Sequence, residues 1–365
     1  MPKEAPPMTR VTATAQARTA SPARLAAAFR RHMLEHGRPI VGPEEDYRIA
    51  FPGGEARVTT AADGLALRLE AESVAALAEA QGVVAGHLDE FAPGERLGIA
   101  WASAAAPRAD ARPANFRTAR VLRVAAVTPR MRRLTLRGDD LARFDAEAMH
   151  LKIYIPGRRA PDGAEPRWPG LTPAGQPDFA GRDLTRRTYT IRRIDAAAGE
   201  MEIDFVVHGD GSPGSRFALR AEPGDWLGLS GPGGGHIPVR GWTLVGGDET
   251  ALPAIARALE QMPRDARGQV LIEVADAAER QTLSPPPGMA VRWLLRDGAP
   301  HGAPLLDAVR ALSWPAGEAG RSAWVACEAE TARQLRQHFS EACGLPAGQF
   351  RAAGYWRQGV AEGGH

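Results

Sequence analysis

A chain of 365 residues, 44% apolar and 24% charged, has the ordinary make-up of a soluble globular protein with room for two or three domains. Its net charge of +2 leaves no general footprint for a polyanion, which argues against nucleic acid, and no run of about 18 apolar residues offers a membrane span. The two cysteines, Cys327 and Cys343, have neither metal-site spacing nor a framework of partners, so a reduced, cytoplasmic setting is expected.

Residues 1–20 are weakly basic, lack an apolar signal core and read as a disordered lead-in. The stretch "SPARLAAAFRRHMLEHG" (21–37) reads as a helix capped by Ser21, with Pro22 in its first turn and Gly37 at its end. "YRIAF", "ARVTT" and "LALRLE" read as short strands separated by Pro-Gly-Gly and Asp-Gly turns. "ESVAALAEAQGVVAGHLDEF" is a second helix with an apolar seam of Val74, Leu77, Val84, Leu88 and Phe91, and "RLGIAW" a closing strand. Residues 21–103 therefore read as a small α+β module of unknown role, and 104–114 as a linker. His32, His36 and His87 lie far apart on helical stripes, so they are expected to be solvated or core-edge histidines, and no metal site is expected.

From 115 to 238 the pattern is all-β. "FRTARVLRVAAVT", "MRRLTLRG", "MHLKIYIP", "RTYTIRRI", "EMEIDFVVHG" and "DWLGLSGP" are six antiparallel strands that suggest a barrel, interrupted by a Pro/Gly-rich insertion at 156–185. From 239 to 365, "WTLVGG", "QVLIEVAD", "AVRWLLRD" and "SAWVACE" are buried-type strands alternating with helical stretches 251–262, 303–312 and 330–343, a parallel α/β arrangement.

Chemistry concentrates in four stretches. In "RRTYTIRR" (186–193), Arg187 and Tyr189 face one side of a strand, offering a phosphate-binding fork beside a flat stacking ring. "HGDGSPGSRFALRAEPGDWLGLSGPGGG" (208–235) runs a glycine-rich turn into Ser215 and a short helix, 215–221, whose first N–H groups suit a phosphate. "WTLVGGDETALPAIARAL" (242–259) is strand, turn and helix without the GxGxxG fingerprint; Thr250 can cap the helix, and Asp248 and Glu249 suit ribose hydroxyls or helix N–H groups. Lys152 is one of two lysines among 45 basic residues.

Taken in order, "HLKIYIP", "RTYTIR", "HGDGSPGSRFALRAEPGDWLGLSGP", "GGDETALPAI" and "GYWRQG" (354–359) resemble the siderophore-interacting proteins, bacterial flavin-dependent ferric-siderophore reductases related to ferredoxin–NADP reductases. The resemblance covers about residues 115–360 and implies a six-stranded FAD-binding barrel followed by a nicotinamide-nucleotide domain. It implies that Arg187 holds the FAD phosphate, while Tyr189 packs on the isoalloxazine and Thr190 bonds near its reactive nitrogen, the pair assigned to catalysis. By the same resemblance His208, Gly209 and Ser215 are expected to line the flavin and its pyrophosphate. It further implies that Gly247, Asp248, Glu249, Thr250 and Ala251 meet the nicotinamide nucleotide, and that Lys152 faces the ferric chelate with help from Arg357. Gly214 and Phe217 stand where the family usually has Ala and Trp, and Cys327 precedes Glu328 where Gly is usual. Residues 21–103 resemble a module that precedes such reductases in some bacteria.

The expected function is electron transfer from NAD(P)H through FAD to chelated Fe(III). The alternatives are another acceptor (a quinone, free flavin or a ferredoxin-linked system) and a non-enzymatic chelate-binding protein. Ferredoxin could also replace the nucleotide as donor.

Overall fold

Alanines at every second position open the fold: Ala13, Ala15 and Ala17 are buried in β1 (Val11–Arg18), while Thr12, Thr14, Gln16 and Arg18 face outward. A strand therefore stands where a disordered lead-in was expected. The small alanines hide an alternation that pairing along the whole of β5 makes real. The computed structural model describes residues 10–35, 38–102, 111–146, 148–159, 162–315 and 320–360. Residues 1–9 of the expected lead-in, Gly37 and most of the expected linker fall outside them. The chain divides into two units, 1–116 with 167–182, and 117–166 with 183–365.

In the first unit, α1 (Pro22–Glu35), β2 (Ile40–Val41), β3 (Asp46–Phe51), β4 (Gly54–Ala61), β5 (Gly64–Ala71) and α2 (Val74–Phe91) follow β1. The sheet is antiparallel in the order β1-β5-β4-β3-β2. Ser73 caps α2 by accepting from the Ala76 amide at 3.1 Å. Leu25, Phe29 and Met33 of α1 and Leu77, Val84 and Leu88 of α2 share one core with Ile49, Val58 and Leu67 of the sheet. "RLGIAW" is extended but forms no continuous ladder: Arg18 N donates to Leu97 O, and Thr14 pairs with Ala102, while left-handed Gly98 (φ +64°) breaks the run between.

The second unit contributes β6 (Phe116–Thr128), β7 (Met131–Arg137) and β8 (His150–Pro156) before the insertion, which carries a hairpin of β9 (Gly170–Leu171) and β10 (Pro177–Asp178). Residues 167–182 belong with the first unit, not with the contiguous flavin domain expected from sequence. Trp101 Nε1 donates to the Ala174 carbonyl at 2.9 Å, and Gln176 Nε2 to Asp89 at 2.9 Å. The chain then forms β11 (Leu184–Thr190), β12 (Arg193–Asp195), β13 (Glu200–Val206), α3 (Pro213–Arg220) and β14 (Trp226–Gly233). The sheet has seven strands, β11-β8-β14-β6-β7-β13-β12, rather than six. The arginine-rich run splits because Ile191 N turns away to Met149 O and Arg192 N to Glu202 O.

A parallel five-stranded sheet completes the unit: β15 (Trp242–Gly247), α4 (Leu252–Gln261), β16 (Arg267–Val274), β17 (Gly288–Leu295), α5 (Ala303–Arg310), β18 (Arg321–Glu328), α6 (Ala329–Gln337) and β19 (Phe350–Trp356), ordered β17-β16-β15-β18-β19. A flavin-type β domain followed by a parallel-sheet domain is the expected plan; the fifth strand is an addition. Among the described residues no helix is long and apolar enough to cross a membrane.

Candidate active site

Antiparallel register between β11 and β8 sorts the candidate residues onto two faces. Arg187 and Tyr189 sit opposite Ile153 and Leu151, whereas Thr188 and Thr190 sit opposite Lys152 and His150. Tyr189 is half-buried, its ring 4.2 Å from that of Phe205. Arg187 is also half-buried, and its Nη1 donates to the Arg186 carbonyl at 2.7 Å. Thr190 is buried. Lys152 Nζ donates to Thr188 Oγ1 at 2.5 Å, so the lysine and the run's exposed threonine share the second face.

The glycine-rich turn meets this strand at α3. Its cap is Ser212, whose Oγ accepts from Ser215 N at 3.3 Å, with Pro213 next; the helix thus starts earlier than expected. Ser215 is buried inside the first turn, its Oγ donating to Gly209 O at 2.6 Å and accepting from His208 N at 3.0 Å. It fixes the turn rather than presenting its hydroxyl. His208 Nε2 lies 3.2 Å from Ser212 Oγ. Gly209 (φ +88°) and Gly211 face open space where a Cβ would stand. Open glycines, a helix start, an arginine fork and a half-covered aromatic ring form a donor set that fits a flavin carrying a pyrophosphate.

Gly214 explains itself here. A Cβ at this position would lie 2.2 Å from Tyr189 Oη but 3.3 Å from its Cζ. Gly214→Ala should therefore push the ring aside and weaken FAD binding by about 1–3 kcal/mol, a fluorescence titration giving the value. Tyr189→Phe in the same chain should restore most of it. Parental affinity in the single variant would show that the ring moves freely.

The residues expected to meet a nucleotide follow β15. Gly247 is fixed by close approach, since a Cβ would lie 2.5 Å from Ala251 Cβ and from Ala326 O. Asp248 is buried; its Oδ1 accepts from Thr250 N (2.9 Å) and Oγ1 (2.5 Å), and its Oδ2 from Trp356 Nε1 (2.7 Å). Burial raises its pKa to about 6 against the pull of these donors. Thr250 thus serves Asp248, and the α4 cap position is Ala251, with Pro253 in the first turn as expected. Glu249 is committed to a bidentate pair with buried Arg296, which also binds Glu273, and is not presented to a ribose. Cys327 is fully buried and its thiol pKa is raised by burial.

His150, Tyr355, Arg257 and Glu279 carry no signal in the sequence. β19 delivers Tyr355 Oη to within 2.8 Å of His150 Nε2, and burial, helped by the charges of Arg351 and Lys152, lowers the His150 pKa to about 4, keeping the ring neutral. Trp356 stands between Asp248 and His301, its ring 5.0 Å from the imidazole. Arg357, just beyond β19, is exposed. Arg192 binds Glu260 of α4 through two bonds of 2.9 and 2.6 Å, while Arg193 is exposed near Asp195. Buried Arg257 donates to Ile191 O and Ala146 O at 2.9 Å each, and Glu279 accepts from Thr128 Oγ1 (2.5 Å) and Arg130 N (3.0 Å). These three links tie the β domain to the parallel-sheet domain; no local motif signals them.

Comparison with known proteins gives a consistent answer. The family model "Siderophore-interacting FAD-binding domain" matches residues 120–236, and "Siderophore-interacting protein" matches 240–359. A model described as an uncharacterized protein conserved in bacteria matches 14–102. Ferric vibriobactin reductase ViuB of Vibrio cholerae is 34% identical over 247 residues, 65% of this chain and 87% of its own length. The ferric acinetobactin reductase of Acinetobacter baumannii is 32% identical over 197 residues, 52% of this chain and 64% of its own. Among solved structures, a siderophore utilization protein from T. fusca shares 39% identity with a TM-score of 0.59, covering 67% of this chain and 94% of that one. The siderophore-interacting protein SipS from Aeromonas hydrophila shares 32% with a TM-score of 0.57, covering 68% and 94%.

Proposed function

The chain belongs to the siderophore-interacting protein family, and from that membership we propose that it is an FAD-dependent ferric-siderophore reductase fed by NADH or NADPH. The observation that carries the reading is the half-buried Tyr189 ring set beside Arg187 and the open glycine turn at the start of α3. FAD, when bound, supplies the conversion between two-electron and one-electron chemistry that iron requires.

The protein's own residues hold and order the reactants. Arg187 and the first amides of α3 take the pyrophosphate. Tyr189, braced by Phe205, gives the isoalloxazine a flat wall, and Thr190 offers a hydroxyl near its edge. Gly247, Asp248, Thr250 and Ala251 form the turn that receives the nicotinamide nucleotide, with Trp356 held against Asp248 as a side wall. Glu249 acts one step back by fixing Arg296. Lys152 and Arg357 supply cations for an anionic chelate. Reduction to Fe(II) weakens the hold of hard oxygen donors on iron and so favours its release.

Lys152→Ala should raise the KM for an anionic ferric chelate about fivefold, equivalent to about 1 kcal/mol for a partly exposed charge, with normal flavin content. Unchanged kinetics would remove the assignment. The function itself is tested by adding NADH or NADPH to the yellow protein without oxygen, then ferric chelates with a ferrous-iron dye. Flavin bleaching followed by dye colour is expected. A protein that neither bleaches nor colours the dye is no reductase; bleaching followed by transfer to quinone but not to chelated iron would change the acceptor.

A further inference from the structure

In the first unit, α1 and α2 join three side chains that lie far apart in the sequence. His32 near the end of α1 meets His87 of α2 with ring centroids 4.9 Å apart. Glu90 lies on the same face of α2 as His87, one helical turn on. A nitrogen of each imidazole and a carboxylate oxygen of Glu90 all fall within 4.8 Å of one another. The separation of His32 and His87 in the sequence argues against a shared site, but the pairing of α1 and α2 brings the two rings together. The third histidine, His36, lies outside the described residues.

The surroundings support a ligand role. His87 Nδ1 is 2.8 Å from the Val83 carbonyl, which can only accept, so Nδ1 carries the ring proton and the lone pair lies on Nε2. Metal-binding histidines are oriented in this way by their other nitrogen. The Phe91 ring lies 5.0 Å from His32 and the Phe29 ring 6.5 Å from His87, giving the pair an apolar backing. Both histidines are half-buried, whereas Glu90 is exposed, so the cluster opens to solvent on its carboxylate side.

We propose that His32, His87 and Glu90 bind a divalent first-row transition cation. Ligands about 2.1 Å from a four-coordinate ion stand about 3.4 Å apart, a contraction that side-chain rotation can supply. Two imidazoles and one carboxylate leave a coordination position open and suit zinc or ferrous iron. The site does not depend on the reductase reading, although ferrous iron is the ion that such a reaction would deliver.

The test uses the full chain, oxidised and free of nucleotide. Zn(II), Co(II) and, without oxygen, Fe(II) are titrated against a competing dye, with the Co(II) absorption bands reporting nitrogen and oxygen ligands. One ion per chain is expected. His87→Ala and Glu90→Gln should each weaken it at least about tenfold, the size of effect that even an outer-shell change produces. Glu90 is exposed, so Glu90→Gln should keep the parent's melting temperature and rule out unfolding as the cause. The proposal is overturned if none of the three ions binds in the micromolar range, or if Glu90→Gln binds as the parent does. Flavin bleaching is read separately on the same preparation, so either conclusion can fall without the other.

Discussion

Arg187→Ala should purify nearly colourless and bind added FAD about 10–100-fold more weakly, the loss of a charge-assisted phosphate contact of about 1.5–3 kcal/mol. Arg187 is half-buried and its guanidinium is tied to the Arg186 carbonyl, so the parent protein has already met part of the ordering cost. Arg187→Lys should recover only part of the affinity, because an ammonium cannot reproduce the planar fork. The ratio of flavin to protein absorbance and a fluorescence titration give the answer; full flavin occupancy in Arg187→Ala would remove this residue from the cofactor site.

Glu273→Ala should cost the parallel-sheet domain about 3–5 kcal/mol. The carboxylate is fully buried on β16 and bonds Arg296 Nη1 at 3.1 Å, Gly302 N at 2.8 Å and Leu305 N at 3.0 Å. Its removal leaves the first amides of α5 without an acceptor and strips one anion from a buried cation. Glu273→Gln keeps an acceptor oxygen and should fall between. Urea unfolding followed by tryptophan fluorescence measures the change; a loss below about 1 kcal/mol would mean that solvent replaces the carboxylate.

The regular elements could be read from the chain because their patterns are local. The α2 seam, the strands around the Pro-Gly-Gly turn and the buried β15, β16 and β18 each carry their period in a few residues. What escaped depended on partners far away. No strand is expected at β19, since "FRAAGYW" is rich in small residues, and it becomes a strand only beside β18. Pairing with β5 likewise reveals β1. The cluster proposed to hold the flavin, Arg187, Tyr189 and the glycine turn, could be picked out because it lies in two short motifs. The roles within it were less plain: Ser215 holds the turn while Ser212 caps the helix, and nothing near Glu249 announces Arg296. The His150–Tyr355 bond joins residues 205 apart in the chain.

The hairpin at 167–182 makes the first unit discontinuous, and this bears on how the protein can be taken apart. A fragment beginning at 117 keeps Trp168, Ala174 and Gln176 but discards the Phe116, Trp101 and Asp89 that they meet. Such a reductase core would carry a stranded apolar flap and invite self-association. Excising 167–182 along with the front module is the cut that follows the architecture, so this module behaves as a built-in component of the protein and not as a detachable prefix.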